Sequence, residues 1–415
     1  MGAACSTETK IVCGAGKHQS GGVCVCSGGL VAGEKGCVHD AGMLPPLMGN
    51  VVDNGGDTGN GIGMALDGAD YPHLAYFEAN NLDLRYATPS RATGKWATEN
   101  IDIEGDVGEF PALAISDPQG AAHPVITYYD IGNQSLKGAV HTDAGWVKKF
   151  LDPVHHDPML DRGRYSSVAV ENGAMAHVAH VSYLDSVNQD LYYLTWNLDQ
   201  PGEVGTPVLV DNGISNVGGD TYGSGVIDGQ TSIALDPVRN APVIAYRDAK
   251  TADLKLAVYN PVSHAWDISF VDNDPVTQSN YEDLGEYASL AVDAVGNYHV
   301  AYYDRTNLAV RYAHFDGSAW AIETIDRGNV GTFSGVAIRA SDRSPFVAYF
   351  DASNGVAKVA HKRRDGTWQV EVAATQGISG LYLKVAVTSN GWPAIAYREL
   401  FSQATFFDYV LSVFP

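Results

Sequence analysis

Between Tyr287 and Arg327 the chain reads YASLAVDAVGNYHVAYYDRTNLAVRYAHFDGSAWAIETIDR. Four runs rich in β-branched and aromatic residues follow one another in it: Ala288–Asp293, His299–Tyr303, Leu308–His314 and Trp320–Asp326. The gaps hold Val295-Gly296-Asn297, Asp304-Arg305-Thr306-Asn307 and Asp316-Gly317-Ser318. Side chains that suit a pleated surface, separated by residues that tolerate tight or left-handed backbone, predict a four-stranded antiparallel meander.

The pattern recurs along the whole chain. A first copy runs through the turn at Asp67 and YPHLAYFE to Trp96 and Asp102. Others span Phe110–Asp152, Tyr165–Asp211, Thr231–Asp272, the quoted stretch, Phe333–Ala373 and Leu381–Pro415. Their spacing is that of propeller blades rather than of helical or leucine-rich solenoids. The last copy has only three strand-like runs, LKVAV, PAIAYR and FFDYVLSVF. A run fit to be its outermost strand, Gly49–Asn54, stands ahead of the first copy and matches Ser269–Asn273 and Glu323–Arg327. The expected fold is therefore all-β: a seven-bladed β-propeller over 49–415, closed by an N-terminal strand that completes the last blade. Such closure leaves no bare sheet edge. A linker at 41–48, stiffened by Pro45 and Pro46, would join it to a separate unit at 1–40.

Charge narrows the partners. There are 26 Lys+Arg against 48 Asp+Glu, a net charge of −22. That field repels nucleic acid and anionic lipid and favours cations or basic partners; it also keeps a surface that faces water on all sides soluble, and a monomer is expected. No run of 18 apolar residues is present, so no transmembrane helix is expected.

All five cysteines, Cys5, Cys13, Cys24, Cys26 and Cys37, lie in the first 37 residues. A dense cysteine patch ahead of a cysteine-free β domain points to an oxidising compartment. The first residues lack a charged n-region and apolar h-region, which a leader removed ahead of them would explain. The Gly-rich segment CGAGKHQSGGVCVCSGGLVAGEKGC is too short to bury a core, so disulfides are expected to hold it. It resembles the Cys-x-Cys half of an EGF-like module, which implies two disulfides among Cys13, Cys24, Cys26 and Cys37, with all three pairings open. One-residue spacing argues against zinc at Cys24 and Cys26. Gly2-Ala3-Ala4-Cys5-Ser6 resembles the tail of a bacterial lipobox, which implies a lipidated Cys5 and an outer-membrane anchor. The alternative is a Cys5 bonded within the unit or to another chain.

Two sets of residues recur in step with the blades. An acid ends each second strand: Glu78, Asp130, Asp185, Asp248, Asp304, Asp351 and Glu399. A turn carboxylate that accepts backbone N–H groups accounts for all of them; a cation-holding ring is the alternative. A Trp opens the outer strand at Trp96, Trp146, Trp266, Trp320 and Trp368, and is expected to pack between blades. The turns DAGW, DGSAW and DGTW resemble a shortened Asp-box, the hairpin of sialidase-type propellers. That resemblance implies the fold and a structural hairpin. The arginine triad of that family has no counterpart, since Arg247 and Arg398 sit on second strands and no third matching position holds an Arg.

Function is expected where the repeat is broken. Three successive inter-blade connections are long and polar: Pro153–Arg164, Asn212–Gln230 and Asn273–Glu286. Neighbouring blades set such loops side by side, and long ordered loops more often carry function than not. The expected ligand site lies near His155, His156, Asp157, Arg164, Asp220, Tyr222, Tyr281 and Glu282. Asp272, Asp274 and Asp283 offer the hard oxygen ligands that Ca²⁺ prefers, and Asp53–Gly59 resembles the calcium loops of integrin-like propellers in composition. Arg164, Tyr165, Tyr222 and His156 suit a polysaccharide lyase, in which Arg neutralises a uronate and Tyr or His moves the proton. P-loop, dinucleotide, nucleophile-elbow and His-Glu-x-x-His motifs are absent. The expected function is an extracellular or surface-tethered propeller that binds a glycan, a peptide or a protein. A carbohydrate-active enzyme, lyase or hydrolase, is the alternative.

Overall fold

The computed structural model describes residues 17–20, 23–26, 30–33, 36–39, 47–153, 160–173, 176–212, 230–248, 251–273, 282–363, 365–375 and 377–410, with side chains between 49 and 408. Seven four-stranded antiparallel sheets make up 47–410, six of them in meander order and one with Leu47–Asp53 beside its third strand. From the innermost strand outward, blade 1 is Thr58–Leu66, Pro72–Glu78, Asp83–Pro89 and Trp96–Asp102. Blade 2 is Val107–Ser116, His123–Asp130, Ser135–Thr142 and Gly145–Phe150. Blade 3 is Arg162–Asn172, His177–Asp185, Asp190–Asn197 and Val208–Asp211. Blade 4 is Ser232–Asp236, Ala241–Asp248, Asp253–Asn260 and Ala265–Asp272. Blade 5 is Leu284–Val292, Tyr298–Asp304, Ala309–Phe315 and Trp320–Arg327. Blade 6 is Val330–Ile338, Pro345–Asp351, Val356–Lys362 and Trp368–Ala374. Blade 7 is Ser379–Val387, Pro393–Glu399 and Ala404–Val410, with Leu47–Asp53 paired beside the last of these in the register Phe406↔Val51. This is a seven-bladed β-propeller. Ahead of it two hairpins form, Lys17–Ser20 with Val23–Cys26 and Leu30–Gly33 with Gly36–His39; the cysteine side chains lie outside the described residues.

The core is not one mass but seven, each between two blades. Blades 4 and 5, for example, share a cluster of Val243, Ala245, Leu254, Leu284, Val300 and Tyr302. Blades 7 and 1 share Val52, Ile62, Leu74, Tyr76, Ala396 and Phe407. Second strands are covered on both faces, which is why all residues of Pro72–Glu78 and Pro393–Glu399 are buried. Four of the Trp span an interface by edge contacts: Trp96 on Phe407, Trp146 on Tyr86, Trp266 on Tyr193 and Trp368 on Tyr312. Trp320 packs on Phe315 of its own blade and against the cluster shared by blades 4 and 5.

A polar latch crosses six of the seven interfaces. A buried second-strand Tyr donates to an Asp at or just past the end of the preceding blade's outer strand: Tyr76 to Asp53 (2.8 Å), Tyr128 to Asp102 (2.8 Å), Tyr183 to Asp152 (2.7 Å), Tyr246 to Asp211 (2.6 Å), Tyr302 to Asp272, and Tyr349 to Asp326 (2.9 Å). Each Asp also meets a cation that reaches the acid ending the second strand. Lys137 joins Asp102 to Asp130 and Lys358 joins Asp326 to Asp351. Arg85, Arg162, Lys255 and Arg311 do the same in blades 1, 3, 4 and 5. A buried carboxylate is tolerable only when paired in this way. Blade 6 ends on Ala374 instead, so Tyr397 turns to Asp408 of its own blade (2.9 Å) and stacks on Phe406, where five of the other blades hold a cation and blade 3 holds Tyr192.

The seven second-strand acids are turn carboxylates. Each accepts a backbone N–H two or three residues on, as Asp304 does from Asn307 (2.8 Å), Asp351 from Asn354 (3.0 Å) and Glu78 from Asn80 (2.9 Å). The remaining four do likewise, at Asn133, Val187, Thr251 and Phe401.

The innermost strands start earlier than the alternation in the sequence suggests. They open at Val107, Arg162, Leu284, Val330 and Ser379, ahead of the aromatic residue at which the pattern becomes regular. A bulge in each, where the pairing register shifts, interrupts the alternation.

Candidate functional site: the mouth of the central channel

The bulge is written as Gly-x-aromatic: Gly108-Glu109-Phe110, Gly163-Arg164-Tyr165, Gly285-Glu286-Tyr287, Gly331-Thr332-Phe333 and Gly380-Leu381-Tyr382. The glycine needs its missing side chain. At φ 118°, a Cβ on Gly163 would lie 2.5 Å from the Leu136 backbone nitrogen of the preceding blade. The aromatic residue that follows is itself left-handed, at φ 50° for Phe110, 52° for Tyr165, 54° for Tyr287, 55° for Phe333 and 53° for Tyr382. Such backbone costs about 1–3 kcal/mol per residue and persists where surroundings over-determine it, often at functional sites.

These five aromatics form a collar around the channel. Their ring centroids lie 4.2 Å apart for Phe110 and Tyr165, 4.9 Å for Tyr287 and Phe333, and 4.9 Å for Phe333 and Tyr382. The matching positions in blades 1 and 4 hold Gly61 and Gln230, so the aromatic series is interrupted there. It lines a cavity of about 510 Å³ with Arg247 and Glu286 toward the mouth and Ser167, Ser232, Ser289 and Lys384 deeper in. Those three serines tie one inner strand to the next, accepting the backbone N–H of Ile233, Leu290 and Val336.

Ion pairs ring the mouth. Arg164 donates to Asp161 (2.8 Å) and lies over the Tyr129 ring, and Tyr129 donates to the same carboxylate (2.5 Å). Arg247 clasps Asp283 (2.7 and 3.0 Å), Arg398 meets Asp57 (2.6 Å), and Arg305 meets Glu286 (2.7 Å). Burial lifts the Glu286 carboxyl above the usual range, with Arg305 and Arg247 opposing the shift. Burial does the same to Glu109, against Arg164. Burial also raises the phenol of Tyr287 to about 12, so it stays a neutral donor in ordinary conditions.

Of the residues expected at the ligand site, Arg164 and Glu282 are described, and they belong to separate groups. Arg164 stands on the inner strand of blade 3 with Asp161, while Glu282 lies beside Arg311 (3.8 Å) and Asn307 (3.4 Å) at blade 5. His155, His156, Asp157, Asp220, Tyr222 and Tyr281 lie outside the described residues. Of the carboxylates considered for calcium, Asp272 is engaged by Tyr302 and Arg311, Asp283 by Arg247, and Asp274 lies outside the described residues. Among the described residues no group of three or more His, Cys, Asp or Glu is placed to hold a metal ion. Tyr165, considered for a lyase role beside Arg164, is one of the collar rings; Phe110, Tyr287, Phe333, Tyr382 and Lys384 were not among the expected residues. The recurring Gly-x-aromatic ahead of each blade is the signal that marks the collar.

The fold is similar to that of the polysaccharide lyase Uly1, at 12% identity and a TM-score of 0.56 over 88% of this chain and 91% of that one. It is also similar to YCF48 from Cyanidioschyzon merolae (12% identity, TM-score 0.52, 87% and 98% covered) and to puromycin hydrolase (13% identity, TM-score 0.51, 87% of this chain and 56% of that one). No protein-family model matches the sequence, and no curated protein does.

Proposed function

We propose that this protein binds a glycan, outside the cytoplasm, at the mouth of its central channel. The aromatic collar carries the reading. Tyr and Phe faces of this kind stack on sugar rings, and the flanking Arg, Glu and Ser groups supply the few placed polar contacts that fix orientation. The cysteine-dense first 37 residues support an extracellular or surface-tethered setting. Similarity to a lyase fold adds no activity by itself, because one fold hosts many functions.

A second reading has one observation in its favour. Glu286 is a cavity carboxylate whose proton affinity is raised by burial, a property suited to general acid–base work on a carbohydrate. A glycan array combined with reducing-end and unsaturated-product assays separates the two. Binding without turnover is the expected result. Product formation abolished by Glu286→Gln would establish the enzyme, and absence of any glycan binding would remove both readings.

A further inference from the structure

One ring of the channel wall is made of small residues with a single exception. The strand pairings Gly63↔Ala75, Ala112↔Thr127, Ser167↔Ser182, Ser232↔Ala245, Ser289↔Ala301, Gly335↔Ala348 and Lys384↔Ala396 put these residues at the same level in successive blades. Lys384 lines the cavity beneath the collar. The cations of the inter-blade latch each bridge two carboxylates, as Lys137, Lys255 and Lys358 do. Lys384 differs: among the described residues no carboxylate lies within ion-pair distance of it, and burial alone pulls its ammonium down to about 8. In a chain of net charge −22, acids to pair it were abundant. Lys384 is half-buried at the cavity wall; a partly desolvated cation without a counter-charge carries a cost that an incoming anion removes.

We propose that Lys384 is the counter-charge for a carboxylate carried by the ligand, so that the channel selects an acidic sugar, inserted past the collar, over its neutral counterpart. This rests on the glycan reading and adds the chemical class.

The test is calorimetric titration of the full chain and of Lys384→Met with a galacturonate oligosaccharide and with the corresponding galactose oligosaccharide. The wild type should prefer the acidic sugar. Lys384→Met should weaken acidic binding about tenfold or more and leave neutral binding unchanged. A variant that keeps the wild-type preference overturns the assignment while glycan binding itself stands. If neither sugar binds, the glycan reading rests on the array, and Lys384 is tested separately by NMR of ¹³C-lysine-labelled protein, with Lys384→Met assigning the signal. Its titration midpoint should rise in sodium acetate relative to sodium chloride; equal midpoints overturn the carboxylate site.

Discussion

The Tyr76 hydroxyl donates to Asp53 at 2.8 Å, with both groups buried, and so ties the first blade to the N-terminal strand of the seventh. The same bond occurs one blade later between Tyr128 and Asp102, inside a continuous stretch of chain. We propose that this latch, together with the Phe406↔Val51 pairing, closes the ring. Tyr76→Phe keeps the ring shape and removes one bond to a charged acceptor. It should lower the unfolding free energy by about 1–3 kcal/mol in urea titration. Deleting 47–53 should lower the melting temperature further and promote association through the exposed strand Ala404–Val410. A deletion variant that stays monomeric with an unchanged melting temperature contradicts closure.

Acid should loosen the fold through its buried imidazoles. His299 is held to about 4, first by burial and then by His314, with Asp293 opposing; it also faces Tyr312 and Arg343. His361 is likewise held to about 4 by burial, Arg339 and Arg363. An unfolded His titrates near 6.5, so between pH ~6.5 and ~4 the unfolded chain takes up protons that the folded chain refuses. Stability should fall across that window as pH drops, by up to about 3 kcal/mol per residue. His299→Phe should flatten the acid limb of the melting-temperature profile; an identical acid limb would rule this out.

Asp408 should act in the opposite sense. Burial lifts its carboxyl to about 6, with Tyr397 and the Asn50 amide opposing. The folded chain therefore binds a proton between pH ~3.8 and ~6 that the unfolded chain releases, and stability drops as pH rises through 6. Asp408→Asn should stabilise the protein by about 1–3 kcal/mol at pH 8 and change little at pH 4. Equal effects at both pH values would show that the carboxyl is not held protonated.

The architecture was legible because each blade writes itself in short alternating runs closed by Gly, Asn and Asp. The turn role of Asp304 and its six counterparts could be read from their position alone, since a carboxylate at a strand end serves the turn in any blade. The collar was not. Phe110, Tyr287 and Phe333 stand at the start of their copies, where a bulge breaks the alternation, so they resemble strand residues rather than channel lining; Tyr165 drew notice only for its neighbour Arg164. The latch was hidden differently. Tyr76 and Asp53 are apart in sequence but meet across an interface, and a residue such as Asp272 reads as a loop acid until its Tyr302 partner is in place. Lys384 sits in an ordinary strand run, LKVAV, and only the ring of Gly, Ala and Ser at its level sets it apart.

Most directly, the account can be tested by titrating a glycan selected on an array into wild type and into Tyr287→Ala/Phe333→Ala, with melting temperature as a check on folding. Loss of two stacking faces, each worth about 0.5–1.5 kcal/mol, should weaken binding by roughly ten- to a hundredfold while the ring stays folded. Unchanged affinity in a folded double variant would contradict ligand binding at the collar.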